Sequence, residues 1–348
     1  MPRSRVLIVH TGGTLGMAQP DRRRLDLAPA AHLERLLARV PELSEIAHID
    51  LVAPWNVDSS DVGPAQWQAL AQLLTERGGI GRPAGEGYDG IVIIQGTDTM
   101  AFCASALAFM LRHLDRPVVL TGSQRPLEAW RTDARANLAA AVECATRNIP
   151  EVLVVFGDSI LRGCRATKSD ANDYQAFETP DQPPLGRIGV SLDIDWPRVR
   201  KPHGTFALET ALDPRVLALT VFPGLDVRTL EDLLRADASQ RVRALVVRAF
   251  GVGNVPSQGS ASLVPLCESL RDQGVHVVIS SQCHRGGTDA GLYAGGRALL
   301  AAGAIEARDM TFEAIVTKTM WALARPERSF TEWFSTDLAG EVTLRRAT

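Results

Sequence analysis

The chain has 348 residues, 45% hydrophobic and 22% charged, with 37 Lys and Arg against 40 Asp and Glu for a net charge of −3. That composition excludes dominant disorder, and its near-neutral balance gives no electrostatic reason to expect nucleic acid or a membrane surface as the main partner. At roughly 150 residues per domain, and with single cores ceasing to grow near about 250–300 residues, two lobes are expected.

From the N-terminus, Arg3 and Arg5 precede only the apolar run Val6–Val9 before Gly12 and Gly13. That run is too short for a secretory core, so export by a cleaved signal is not expected. A strand follows at Ile49–Ala53 and short apolar strands at Ile91–Ile94, Val118–Leu120 and Val152–Phe156, with helical spacing over Pro64–Arg77, Thr99–His113 and Thr132–Arg147. Arg77–Gly90 is glycine-rich and reads as a surface loop. Wholly apolar strands of four or five residues imply a parallel sheet covered by helices on both faces. Thr179–Gly204 holds Pro180, Pro183, Pro184, Pro197 and Pro202 and reads as a connector between lobes. Alternation resumes with strands at Val216–Phe222, Leu245–Phe250 and Val275–Ser280 and helices near Val227–Arg235, Ser260–Gln273 and Ala294–Gly303. The expected fold is α/β with two doubly wound domains: a larger N-terminal parallel sheet over residues 1–198, a linker over 199–215, and a smaller C-terminal α/β lobe over 216–348. The longest stretch without Asp, Glu, Lys or Arg, Ala249–Cys267, carries Pro256 and Pro265 and is no spanning helix. Cys103, Cys144, Cys164, Cys267 and Cys283 are odd in number, widely spaced and form no CxxC, which predicts reduced thiols in the cytoplasm and no zinc site.

Ligands of doubly wound sheets bind beyond the carboxyl ends of the strands, and here those ends are rich in hydroxyls. The first strand ends in His10-Thr11-Gly12-Gly13-Thr14-Leu15-Gly16. This is a tight turn that offers either a phosphate cradle or an exposed Thr14 nucleophile, and it matches neither GxGxxG nor a P-loop. Gln95-Gly96-Thr97-Asp98-Thr99 precedes a helix, so Asp98 or Thr97 either caps it or presents a carboxylate to a substrate ammonium. Asp58-Ser59-Ser60-Asp61 reads by itself as a polar capping loop. Lys168 is solvated or, buried among hydroxyls, serves as a base.

Taken together in colinear order, Thr14-Leu-Gly-Met, Asp58-Ser59-Ser60-Asp61, Gly96-Thr97-Asp98-Thr99-Met100 and Arg165-Ala166-Thr167-Lys168 resemble the bacterial-type L-asparaginases of the cytoplasmic type I group. Gly122-Ser123-Gln124-Arg125-Pro126-Leu127, Gly251-Val252-Gly253-Asn254 and Gln282-Cys283 extend the resemblance over nearly the whole chain. The resemblance implies hydrolysis of L-asparagine to L-aspartate and ammonia with no metal or organic cofactor. It implies Thr14 as nucleophile and Thr97, Asp98 and Lys168 as a second catalytic group. Asp98, Ser59, Ser60 and Ser123 would hold the substrate. Thr167, Arg248 and Cys283 correspond to a regulatory asparagine site, although Arg248 and Cys283 equally suit lobe packing. A homodimer or homotetramer is implied, without nucleic acid or membrane.

Three positions depart from the family pattern. The loop after Thr14 lacks the expected tyrosine and carries Asp21-Arg22-Arg23-Arg24-Leu25-Asp26, read as a solvated loop or an anion-closing one. The chain's three tyrosines are Tyr88, Tyr174 and Tyr293. Gln95 stands where many relatives have histidine, and Ser60 where exported relatives carry glutamine. The competing readings are an amidotransferase-type glutaminase subunit, for which the start of the first motif at Thr11 leaves no room for the added N-terminal domain, and an amino-acid-binding module.

Overall fold

The computed structural model describes residues 3–21, 24–27, 38–83, 85–234 and 241–344. It divides into two compact units, Met1–Thr210 and Ala211–Thr348, so the expected linker straddles that boundary.

In the first unit, β1 (Arg5–His10), β2 (His48–Val52), α1 (Pro64–Glu76), β3 (Gly90–Ile94), α2 (Met100–Met110), β4 (Val118–Thr121), α3 (Ala134–Ala145) and β5 (Val152–Phe156) alternate as the apolar runs predict. After them come β6 (Ser159–Arg162), the short pair β7 (Thr167–Lys168) and β8 (Phe177–Glu178), then β9 (Gly186–Ile188) and β10 (Leu192–Ile194). The main sheet has the order β10-β9-β6-β5-β4-β3-β1-β2. Its five strands from β2 to β5 are parallel.

The sheet is nevertheless mixed, not wholly parallel. The chain leaves Phe156 through the tight turn at Gly157 (φ 59°) and pairs β6 back against β5 antiparallel, and β9 and β10 continue in that sense. The proline-rich Thr179–Gly204 segment is therefore not a bare connector. Its prolines flank β9 and β10 and leave their N–H groups free to pair at the sheet's edge, where proline is tolerated. The Arg77–Gly90 segment is a mostly exposed loop, anchored by the buried Ile80.

Every residue of β3, β4 and β5 is buried. On one face Val6, Ile8, Val92, Ile94, Val119, Leu153 and Val155 form a core with Leu138, Ala141 and Val142 of α3. The alternate residues face α2, which is buried almost all round.

The second unit holds a fully parallel sheet of β11 (Val216–Thr220), β12 (Ala244–Ala249), β13 (His276–Ser281) and β14 (Ile305–Glu306), in that order. Its helices are α4 (Val227–Leu234), α5 (Val264–Asp272), α6 (Ala294–Ala301), α7 (Phe312–Leu323) and α8 (Phe330–Ser335). Leu245, Val247, Val277 and Ile279 pack with Leu266, Leu270 and Leu299. The last two helices were not anticipated. A fully buried ion pair, Lys318 Nζ to Glu341 Oε1 at 2.5 Å, with Lys318 also donating to the Thr336 carbonyl at 2.6 Å, ties the C-terminal segment to α7. Among the described residues no helix is long and apolar enough to cross a membrane.

Candidate active site

The parallel strands of the first unit run in the order β2-β1-β3-β4-β5, so the direction of winding reverses between β1 and β3. A doubly wound sheet opens a crevice at that point. The turns after β1 and β3 are the two threonine motifs.

Backbone approaches that only glycine permits bring those turns together. Gly12 has φ 124° and Gly13 φ 93°, and Gly12 forms a parallel bridge with Val57. A Cβ on Gly13 would stand 2.3 Å from the Gly96 nitrogen, and one on Gly96 would stand 2.6 Å from Ser59 Oγ. Thr14, half-buried, opens the short 3-10 turn Thr14–Gly16. The turns carrying Thr14, Ser59 and Thr97 are thus packed backbone to backbone. Thr99 Oγ1 adds a tie by donating to the Ser59 carbonyl at 2.7 Å. The buried Gln95 amide in turn donates to Thr99 Oγ1 at 3.3 Å, an orienting role.

Lys168 reaches the same place from β7. Its Nζ donates to Thr97 Oγ1 at 2.8 Å and to Asp98 Oδ1 at 2.6 Å. Thr97 is buried, the Lys168 side chain is 21% exposed, and the Asp98 carboxylate is 66% exposed. The hydroxyl and amine are thus shielded, while the carboxylate remains open to a charged ligand group.

Ser60 is engaged in its own loop: its N–H and hydroxyl both donate to Asp58 Oδ1 at 2.8 Å. These bonds, the backbone one first, hold the Asp58 carboxyl below its ordinary range. Ser123 is buried, and its hydroxyl donates to the Arg125 carbonyl at 2.6 Å. The Ser123 loop borders both threonine turns, since Leu127 N–H donates to the Leu15 carbonyl and Gly122 lies against the Gln95 carbonyl.

Sequence reading missed the residues that shape this loop. The buried Asp133 accepts from the N–H groups of Gln124 and Arg125, while Asn137 donates to the Gly122 carbonyl and to Asp133 and accepts from Gly157 N–H. Their signal was two polar residues one turn apart near the start of an otherwise Ala- and Leu-rich helix. His10 was also missed. Its ring lies beneath Gly16, where a Cβ would stand 2.7 Å from Nε2. Both ring nitrogens are buried and have no hydrogen-bond partner among the described residues, and burial pushes the imidazole down to about 4.

Two of the three tyrosines are engaged elsewhere. Tyr88 donates to Asp50 Oδ2 at 2.8 Å and Tyr174 to the Arg131 carbonyl, and Tyr293 is exposed. Arg22 and Arg23 of the arginine loop lie outside the described residues. Of the three positions read as regulatory, Thr167 precedes Lys168 on β7 and pairs with Glu178. Arg248 and Cys283 lie in the second unit at the carboxyl ends of β12 and β13. Arg248 pairs with Ser280 and stacks 5.0 Å from the Phe312 ring, and Cys283 is exposed.

Residues 5–200 match the family model "Asparaginase, N-terminal", and residues 215–332 match "Glutaminase/Asparaginase C-terminal domain". The chain belongs to the asparaginase family. It is 36% identical over 350 residues to "L-asparaginase 1" of Escherichia coli, covering 99% of each chain. It is also 36% identical to a glutamyl-tRNA(Gln) amidotransferase subunit of Aeropyrum pernix, covering 98% of this chain and 80% of that one. The crystal structure of L-asparaginase I from Vibrio cholerae superposes with a TM-score of 0.86 at 35% identity, covering 98% of this chain and 100% of that one. This asparaginase-family chain accordingly shares its α/β fold with a solved L-asparaginase over 98% of its length.

Proposed function

We propose that the protein is an L-asparagine amidohydrolase acting through a threonine nucleophile. The observation that carries this reading is the Lys168 amine held at 2.8 Å from Thr97 Oγ1 and 2.6 Å from Asp98 Oδ1, on a turn packed against the one that bears Thr14. A ligand-binding turn has no use for a hydroxyl–amine–carboxylate group whose hydroxyl and amine are shielded, whereas a neutral hydroxyl nucleophile needs a partner that moves protons.

In this reading Thr14 Oγ bonds to the side-chain amide carbon. The hydroxyl proton is passed on, the C–N bond breaks, and the nitrogen leaves as ammonia. Water, activated by the Thr97–Lys168–Asp98 group, then hydrolyses the Thr14 ester and releases L-aspartate. Backbone N–H groups of the glycine turns stabilise the oxyanion. The open Asp98 carboxylate receives the α-ammonium. Ser59 and adjacent N–H groups receive the α-carboxylate, Ser60 adds a contact on exchanging its Asp58 partner, and the Ser123 backbone accepts from the leaving amide.

Coupled ammonia assays with L-asparagine, L-glutamine and D-asparagine test the substrate. Thr14→Ala and Thr97→Ala each abolish ammonia release with unchanged circular dichroism, and near-normal turnover in either refutes the mechanism. A preference for glutamine would favour an ammonia-supplying role of the amidotransferase kind named for the Aeropyrum pernix relative. We further propose a homo-oligomer, dimer or tetramer, in a reducing compartment such as the cytoplasm, since the five cysteines are all free thiols. A second asparagine site at Thr167, Arg248 and Cys283 would give sigmoidal kinetics, whereas a hyperbolic rate curve and a single calorimetric site would remove it.

A further inference from the structure

The second unit contains a cavity of about 560 Å³ at the amino-terminal edge of its sheet, opposite the strand ends that carry Arg248 and Cys283. This volume suits a small organic molecule. Leu212, Pro214, Ala322, Pro326 and Phe330 supply apolar walls, and Arg243, Arg325, Arg328 and His276 supply nitrogen donors. Although the chain as a whole is net negative, three guanidinium groups line this cavity against one carboxylate, Asp213.

That carboxylate is largely occupied. Arg215 holds it through two parallel bonds, Nε to Oδ1 at 3.0 Å and Nη2 to Oδ2 at 2.7 Å, leaving Arg243 a longer contact at 3.3 Å. Arg325 is buried, stacked 3.6 Å over the Trp321 ring. Arg328 is exposed and lies 4.6 Å over the Trp333 ring, with its charge acting on Glu332. The nearby Glu332 is satisfied by the Ser329 N–H and hydroxyl. His276 stacks on Phe330 with centroids 4.2 Å apart, and burial together with the Arg243 charge holds its imidazole below the ordinary value. The histidine thus lies half-buried beside the Arg243 charge.

We propose that this cavity binds a small organic anion, an apolar body bearing one carboxylate or phosphate group. The anion bridges Arg243 and Arg328 beside His276, and the body lies against Pro326 and Phe330. The two anionic groups share their chemistry with guanidinium, which takes either through paired N–H donors.

The test is isothermal titration of the full chain with four probes: benzoate, phenyl phosphate, inorganic phosphate, and benzyl alcohol as the uncharged body. Saturable binding of benzoate or phenyl phosphate is expected, with inorganic phosphate and benzyl alcohol at least about tenfold weaker, and the stronger of the first two identifies the preferred group. Arg328→Gln, a change at an exposed position, weakens binding by about tenfold or more. The His276 ring resonances shift on titration. Thr14→Ala leaves the affinity unchanged, which separates this cavity from the candidate active site. Absence of saturable heat, equal binding of inorganic phosphate and benzoate, unchanged affinity in Arg328→Gln, or unmoved His276 signals would each overturn the proposal.

Discussion

Gly96→Ala isolates the contact on which the candidate site depends. The alanine methyl would stand 2.6 Å from Ser59 Oγ, 2.7 Å from Ser59 Cβ and 3.2 Å from Gly13 Cα, where ordinary contact begins at 3.4 Å. Ser59 must therefore retreat by roughly 0.8 Å, but it is 5% exposed and its carbonyl is fixed by Thr99. Overpacking of this kind costs about 1–3 kcal/mol of stability. Its larger effect is on geometry. The methyl drives the Thr14 and Thr97 turns apart, and a misplacement near 1 Å can cost ~100-fold in rate. The expected variant is folded, with kcat down by ~100-fold and the midpoint of thermal unfolding lowered only modestly. Steady-state ammonia release and a melting curve measured on one preparation read both quantities. A kcat within about threefold of the parent would show that backbone abutment does not set the catalytic geometry.

The remaining predictions address single groups. Lys168→Met removes the amine bonded to Thr97 and lowers kcat by ~100-fold or more at nearly unchanged stability, and a loss confined to KM would assign Lys168 to binding alone. Lys318→Met strands the Glu341 carboxylate, since both side chains are fully buried, and costs about 3–5 kcal/mol in urea unfolding. Adding Glu341→Gln recovers much of it, and a single-variant cost under about 1 kcal/mol would contradict the pairing. Because the His10 imidazole is pushed down to about 4 from 6.5, its neutral form contributes stability that is complete above pH 6.5 and lost as pH falls towards 4. That loss amounts to about 3 kcal/mol. His10→Phe flattens this part of the urea-midpoint profile, and an unchanged slope would remove His10 from it.

The parallel strands were legible because burial on both faces leaves uninterrupted apolar runs, as in Val152–Phe156, whose predicted and observed limits coincide. The edge strands β9 and β10 were hidden by prolines and by short, half-exposed pairing. The helices α7 and α8 were hidden too, because α7 carries Thr317, Lys318 and Thr319 in a fully buried turn that no apolar periodicity describes. Their partners, Glu341 for the lysine and helix carbonyls for the hydroxyls, exist only in the folded chain.

The candidate site shows the same division. Hydroxyls and charges at strand ends can be read as a string, and Thr14, Ser59 and Thr97 stand on turns that the fold packs together, with Lys168 reaching them from β7. What a string cannot express is the work of the glycines between them. Paired glycines at positions 12 and 13 suggest a chain free to turn, and their φ values of 124° and 93° agree. Gly96 has no such conformational requirement, yet its missing Cβ is what admits Ser59 and the Thr14 turn. Its value lies in unoccupied volume beside a residue 83 positions away along the chain, at Gly13, and volume of that kind is a property of the fold. A site built this way gains rigidity from backbone contact and needs no long side chain to position its nucleophile. Such contact supplies a physical route by which Thr14 is oriented in a chain whose Tyr88 and Tyr174 hydroxyls are bound elsewhere.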